Sequence, residues 1–193
     1  MNTAGYWVLL ITVIAVFIVI FFFFSRTLSK REKRKKEFYR RADRQRSLML
    51  QYRDAGKQTL QAAPAADMIE GLASAVQAEL ADCAAPNDEF LKLPIWRQYA
   101  YAAYYLLSDS AVKLSAFFRN SGEPLVSTAV ACVRNTGKTA FVRLIDLEYE
   151  MLDDNNENVS VDNAQLAQWD AAFAALDRDV LVDSIKQVVL ASM

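Results

Sequence analysis

The sequence predicts an all-α chain: an N-terminal transmembrane helix, a basic juxtamembrane helix, and then a compact multi-helix domain. Three observations carry this. The 193 residues include only five glycines and four prolines, well under the usual ~12%, which argues against a barrel or sandwich and for long helices. No stretch alternates apolar and polar residues convincingly, whereas apolar residues recur at helical spacing. The charge also falls into three blocks. Residues 1–25 carry none; residues 26–53 hold 12 of the 22 basic residues and three of the 23 acids; the remainder is strongly acidic. The expected organisation is an anchor over 1–25, a helical stalk over 26–61, a linker over 62–66 and an acidic all-α domain over 67–193.

Tyr6–Phe24 reads YWVLLITVIAVFIVIFFFF. At ~1.5 Å per residue it reaches roughly 28 Å, enough for a hydrocarbon core of ~30 Å. Its interior polar side chain, Thr12, can bond back to a helix carbonyl. A cleaved signal peptide would need a basic start and a small-residue cleavage site, and neither is present. The residues before Tyr6 lack Lys and Arg, and SRTLSKREKRKK follows Phe24. Basic residues stay on the cytoplasmic side. The expectation is therefore a single-pass protein of the cell membrane, with the short N-terminus outside and the C-terminal domain in the cytoplasm.

Arg26–Tyr52 lacks Gly and Pro and is rich in helix formers. An apolar stripe runs through Phe38, Ala42, Met49 and Tyr52. Arg26, Lys30, Arg31, Lys33 and Arg34 are the expected membrane-surface residues. They lie close enough to anionic headgroups to act within a Debye length of ~8 Å. Direct nucleic-acid binding is not expected, because no interleaved aromatics or groove-reading motif accompany the charge. Ala62-Ala63-Pro64-Ala65-Ala66 is a small-residue break, hence the linker.

Beyond it, Asp67 and Glu70 have the spacing of a capping box, followed by Met68, Ile69, Leu72, Val76 and Leu80. Pro86-Asn87 ends that element. Pro94 suits the first turn of the next helix, whose sequence IWRQYAYAAYYLL is apolar nearly all round and marks the buried centre. Ala111–Asn120 follows, with Gly122 as a C-terminal glycine. Leu125–Arg134 ends at Asn135-Thr136-Gly137, with Gly137 as a left-handed residue between helices. Thr139–Leu152 places Val142, Ile145, Tyr149 and Leu152 on one side and Arg143, Asp146, Glu150 and Asp153 on the other. In Asp162–Leu176, Leu166, Trp169, Phe173 and Leu176 share a face, and Trp169 and Phe173 are expected to be buried against the central helix. Asp179–Leu190 closes the chain.

Signals of chemistry are weak. There is no histidine, which removes the commonest general base, metal ligand and pH switch. Cys83 and Cys132 have no CxxC spacing and read as two buried free thiols. Gly137-Lys138-Thr139 resembles the end of a phosphate-binding loop, but Cys132 stands where the first glycine belongs, and a helix precedes it instead of a strand. Asp153-Asp154-Asn155-Asn156-Glu157 lacks the glycine and the glutamate of a calcium loop in either register. No spacing marks a nucleophile with its base.

Three stretches resemble a helical domain family of unknown function that includes the bacterial DNA-mimic proteins: Leu93-Pro94-Ile95-Trp96-Arg97-Gln98-Tyr99, Phe117-Phe118-Arg119-Asn120-Ser121-Gly122-Glu123 and Trp169-Asp170-Ala171-Ala172-Phe173-Ala174-Ala175-Leu176-Asp177. They fall within about residues 93–193. Relatives commonly carry Asn-Gly-Gly before the central aromatics, where this chain has Ala111-Val112-Lys113-Leu114-Ser115-Ala116. The resemblance implies a compact, acidic, non-enzymatic helical domain.

The functional expectation is a membrane-anchored protein whose helical domain binds a protein partner that the sequence does not name. It is not an enzyme and takes no cofactor or metal. Asp146, Glu150 and Asp153 form the candidate partner-binding face. One alternative is an acidic decoy for a basic or DNA-binding protein; a second is a hydrolase or nucleotide-dependent enzyme. Self-association is left open.

Overall fold

The computed structural model describes residues 35–152 and 162–193, all in helices and the turns between them. The Tyr6–Phe24 run, the cluster Arg26, Lys30, Arg31, Lys33 and Arg34, and the stretch Asp153-Asp154-Asn155-Asn156-Glu157 lie outside the described residues. Among the described residues no helix is long and apolar enough to cross a membrane.

Helix α1 covers 35–52. The chain divides into two compact units, one up to Arg44 and one from Gln45 to Met193. In the first, the described residues 35–44 are one exposed helical segment. Phe38, 68% exposed, meets the Tyr39 ring edge-on, with centroids 5.9 Å apart. Of the apolar stripe expected along α1, only Tyr52 is buried, with Met49 half-buried and Ala42 exposed; Leu48, outside that stripe, is buried about one turn before Tyr52.

The second unit contains the end of α1, then α2 (Lys57–Ala62), α3 (Ala65–Leu80), α4 (Pro86–Lys92), α5 (Ile95–Asp109), α6 (Leu114–Asn120), α7 (Leu125–Asn135), α8 (Thr139–Leu152), α9 (Asn163–Ala174) and α10 (Arg178–Ala191). As expected, α5 is central: α3, α6, α7 and α10 all pack against it. Its small residues Ala100, Ala102 and Ala103 are fully buried, which lets neighbouring helices approach closely.

The break at 62–66 is a turn inside this unit, where a linker was expected. Leu60 and Ala63 belong to the same core as Leu48 and Tyr52. Lys186 of α10 donates to the carbonyls of Gln61 at 2.8 Å and Ala63 at 2.5 Å, fastening the last helix to this turn. Gly71 explains how α1 reaches α3. A Cβ there would lie 2.5 Å from Tyr52 Cδ2 and 2.7 Å from the Leu48 carbonyl oxygen. Only a hydrogen fits.

Several boundaries differ from the sequence expectation, for local reasons. Helix α3 starts at Ala65, with Pro64 in the cap position and no side-chain cap. Asp67 thus falls in the first turn, where it complements the helix dipole. Pro86 opens α4 instead of only ending α3, because a fixed φ and a missing N–H suit a first turn. Pro94 is the cap residue of α5 and not part of its first turn. Among the described residues only Gly137 has a positive φ, 66°. The left-handed reading of Gly137 is correct, whereas Gly122 is not a left-handed C-terminal glycine. Cys132 is buried and Cys83 only half-buried; both are free.

Helix α9 was expected against α5, but its main packing among the described residues lies elsewhere, although Phe173 joins the same core cluster as the α5 alanines. Helix α9 packs on α6 and α8, and α10 takes the place beside α5. Phe173 is buried, meeting Phe141 of α8 edge-on at 5.6 Å, while Trp169 is only half-buried. Asp162 caps α9 through the N–H groups of Ala164 and Gln165 at 2.9 and 3.1 Å, and Asp177 caps α10 through that of Asp179 at 3.0 Å.

Candidate functional site

One concave feature of the described residues is an open groove of about 730 Å³, within the usual ~300–1,000 Å³ of ligand sites. Its walls come from the end of α3, from α4, from the outer face of α5 and from the turn between α6 and α7. That α5 face carries Tyr101 and Tyr105, spaced one helical turn apart. Their rings meet edge-on at 5.0 Å, and Phe90 of α4 lies 5.6 Å from Tyr101. The Tyr101 hydroxyl donates to that of Tyr105 at 3.5 Å. Burial, and secondarily this hydrogen bond, push the Tyr101 phenol well above its ordinary range, so it stays neutral.

Two carboxylates also line the groove, Asp109 at the end of α5 and Glu123 before α7, and no Lys or Arg does. Glu123 accepts from the backbone N–H of Ser127 at 3.2 Å and from its hydroxyl, satisfying the start of α7. Asn87 of α4 donates to the Glu123 carbonyl at 3.3 Å, closing that end. The half-buried Asp109 carboxylate has no hydrogen-bond or ion-pair partner among the described residues. The sequence offered Asp109 only as part of a helix stop, and the aromatic run of α5 reads as core.

The face proposed from α8 is less uniformly acidic than its sequence suggests. Glu150 is exposed, but Asp146 accepts from Arg134 of α7 at 2.9 Å, and Arg143, one turn before Asp146, is exposed. The structure therefore leaves Glu150 outward-facing and Asp146 engaged, with Asp153 outside the described residues.

A carboxyl that the sequence reading missed lies on the other side of α8. Glu148 is fully buried, and neither side-chain oxygen has a hydrogen-bond partner among the described residues. Burial, then the nearby charge of Asp170, raise its pKa from 4.5 to about 8, against an opposing pull from Arg119. It is thus protonated at neutral pH. The signal was in the spacing: Phe141, Ile145 and Glu148 sit at i, i+4 and i+7, on the face that meets the core.

The phosphate-loop resemblance at Gly137-Lys138-Thr139 has no strand before it, since α7 runs to Asn135. Among the described residues no three His, Cys, Asp or Glu side chains are grouped to hold a metal ion. Comparison of the chain with models of protein families, with curated proteins and with solved structures finds no match.

Proposed function

We propose that this chain is a membrane-tethered protein whose helical unit is an interaction module for another protein. The tether rests on the Tyr6–Phe24 run and the basic cluster after it; the cytoplasmic placement rests on the same charge asymmetry. The interaction reading is carried by one observation: an open, aromatic-walled groove with an unpaired carboxylate, built on the most central helix of the unit. Aromatic side chains with one wet polar end are favoured at such surfaces. The acidic decoy remains the second reading, favoured by exposed Glu150 and the acidic balance beyond the stalk.

Photo-crosslinkers placed at Gln77, on the groove, and at Glu150, on α8, compare the two surfaces in the intact chain. The module reading expects adducts to a host protein at Gln77; the decoy expects them at Glu150, with salt-sensitive yield. Adducts at neither position would overturn both. Topology is tested separately with Val112→Cys in a Cys83→Ser background, since Val112 is 82% exposed. Labelling should require lysis, and labelling of intact cells by an impermeant maleimide would reverse the orientation.

A further inference from the structure

We infer that the groove receives an arginine or lysine side chain borne on a segment of the partner protein. The inference rests on the module reading and names what the groove recognises. Three features of the groove converge. Its aromatic wall is half-buried Tyr101 and Tyr105, with buried Phe90 behind Tyr101, and a cation is attracted to the faces of such rings. Its lining charges are Asp109 and Glu123, with no basic side chain among them. The half-buried Asp109 carboxylate has no ion-pair partner among the described residues, so it stays open to a cation from outside. An anionic partner would meet two carboxylates and no compensating donor cation. A purely apolar one would bury Asp109 without a counter-charge, which is costly. A guanidinium or ammonium group satisfies the carboxylate and the rings together, while its aliphatic stem packs along the apolar wall. The amides of Gln77, Asn87 and Asn120, which also line the groove, are suited to the backbone of an extended segment on either side.

The test uses the full chain in detergent micelles with fluorotyrosine incorporated, followed by fluorine NMR; Tyr101→Phe and Tyr105→Phe identify the groove signals. The probes are the heptapeptide Gly-Ser-Gly-Arg-Gly-Ser-Gly, its lysine and citrulline counterparts, and arginine amide. The Arg and Lys peptides should shift the groove signals saturably. The citrulline peptide keeps the shape without the charge and should bind about tenfold more weakly, as should the Arg peptide on Asp109→Asn, a factor in the range expected for losing one cation contact. Equal binding of the citrulline peptide, no saturable shift, or full affinity on a folded Asp109→Asn variant would overturn the inference. So would arginine amide binding as tightly as the peptide, which would make the groove a small-cation site. If Asp109→Asn does not fold, the citrulline comparison on the unaltered chain decides. Host-protein adducts at Gln77 combined with charge-independent peptide binding would leave the module standing and remove only the cation.

Discussion

Asp170 of α9 caps a helix that is not its own. Its two carboxylate oxygens accept from the backbone N–H and the hydroxyl of Ser115, each at 2.8 Å. Ser115 is in the first turn of α6, where backbone N–H groups have no partner within the helix. The residue before α6, Lys113 with Leu114 following, offers no side-chain cap, so a distant carboxylate takes that role and fixes α9 against α6. Asp170→Ala would leave the buried Ser115 groups unsatisfied, at about 1–3 kcal/mol. Thermal unfolding should show the loss, with Asp170→Asn milder because its amide oxygen still accepts.

Glu148 makes stability fall as the solution becomes more alkaline. Its folded pKa, about 8, lies above the ordinary 4.5. Below 4.5 both folded and unfolded chains hold the proton, and nothing is lost. Between 4.5 and 8 the unfolded chain releases it while the folded one retains it, so stability declines. Above about 8 the decline levels off. Glu148→Gln should therefore flatten the melting-temperature profile across this window relative to the unaltered chain, and Glu148→Met should melt higher at pH 8 by removing the buried charge. A Glu148→Gln difference profile independent of pH would show that the carboxyl is ionised in place.

Gly71→Ala should destabilise, although alanine favours a helix by about 1 kcal/mol. The new methyl would meet the backbone of Leu48 and the ring of Tyr52. A backbone carbonyl cannot rotate away as a side chain can, so the end of α1 must move, and overpacking of this kind costs about 1–3 kcal/mol. Melting of the variant checks the sign.

Phe173 and Trp169 should separate on truncation. Phe173→Ala removes a buried ring stacked edge-on against Phe141 and should cost about 3 kcal/mol or more. Half-buried Trp169 should cost about 1 kcal/mol, nearer to a surface change. Equal losses in the two melting curves would return Trp169 to the core.

The helices themselves were legible because an α-helix is a local object. Spacing of three and four residues marked α3, α8 and α10, and an apolar surface nearly all round marked α5 as central. Gly137 sat where the chain must turn between α7 and α8, and its positive φ follows. The groove was not legible. Its walls join residues from Gln77 to Leu125 on separate helices, and no local spacing tells which outer face of an apolar helix will meet a neighbour. Trp169 shows the same limit: its helical face was clear, but which neighbouring helices that face would meet is set by tertiary packing, which places α9 mainly on α6 and α8. Glu148 had the spacing of a core residue and the chemistry of a surface one, and only packing decided between them. Likewise, the compact unit begins at Gln45 and not past the alanine-rich turn, and Gly71, where a Cβ would meet Leu48 and Tyr52, lets the end of α1 pack there. The sequence by itself determined helix content, charge blocks and the apolar N-terminal run, which depend on neighbours in the chain. Tertiary structure alone decided which carboxylates are buried, paired or open, because desolvation depends on neighbours in space.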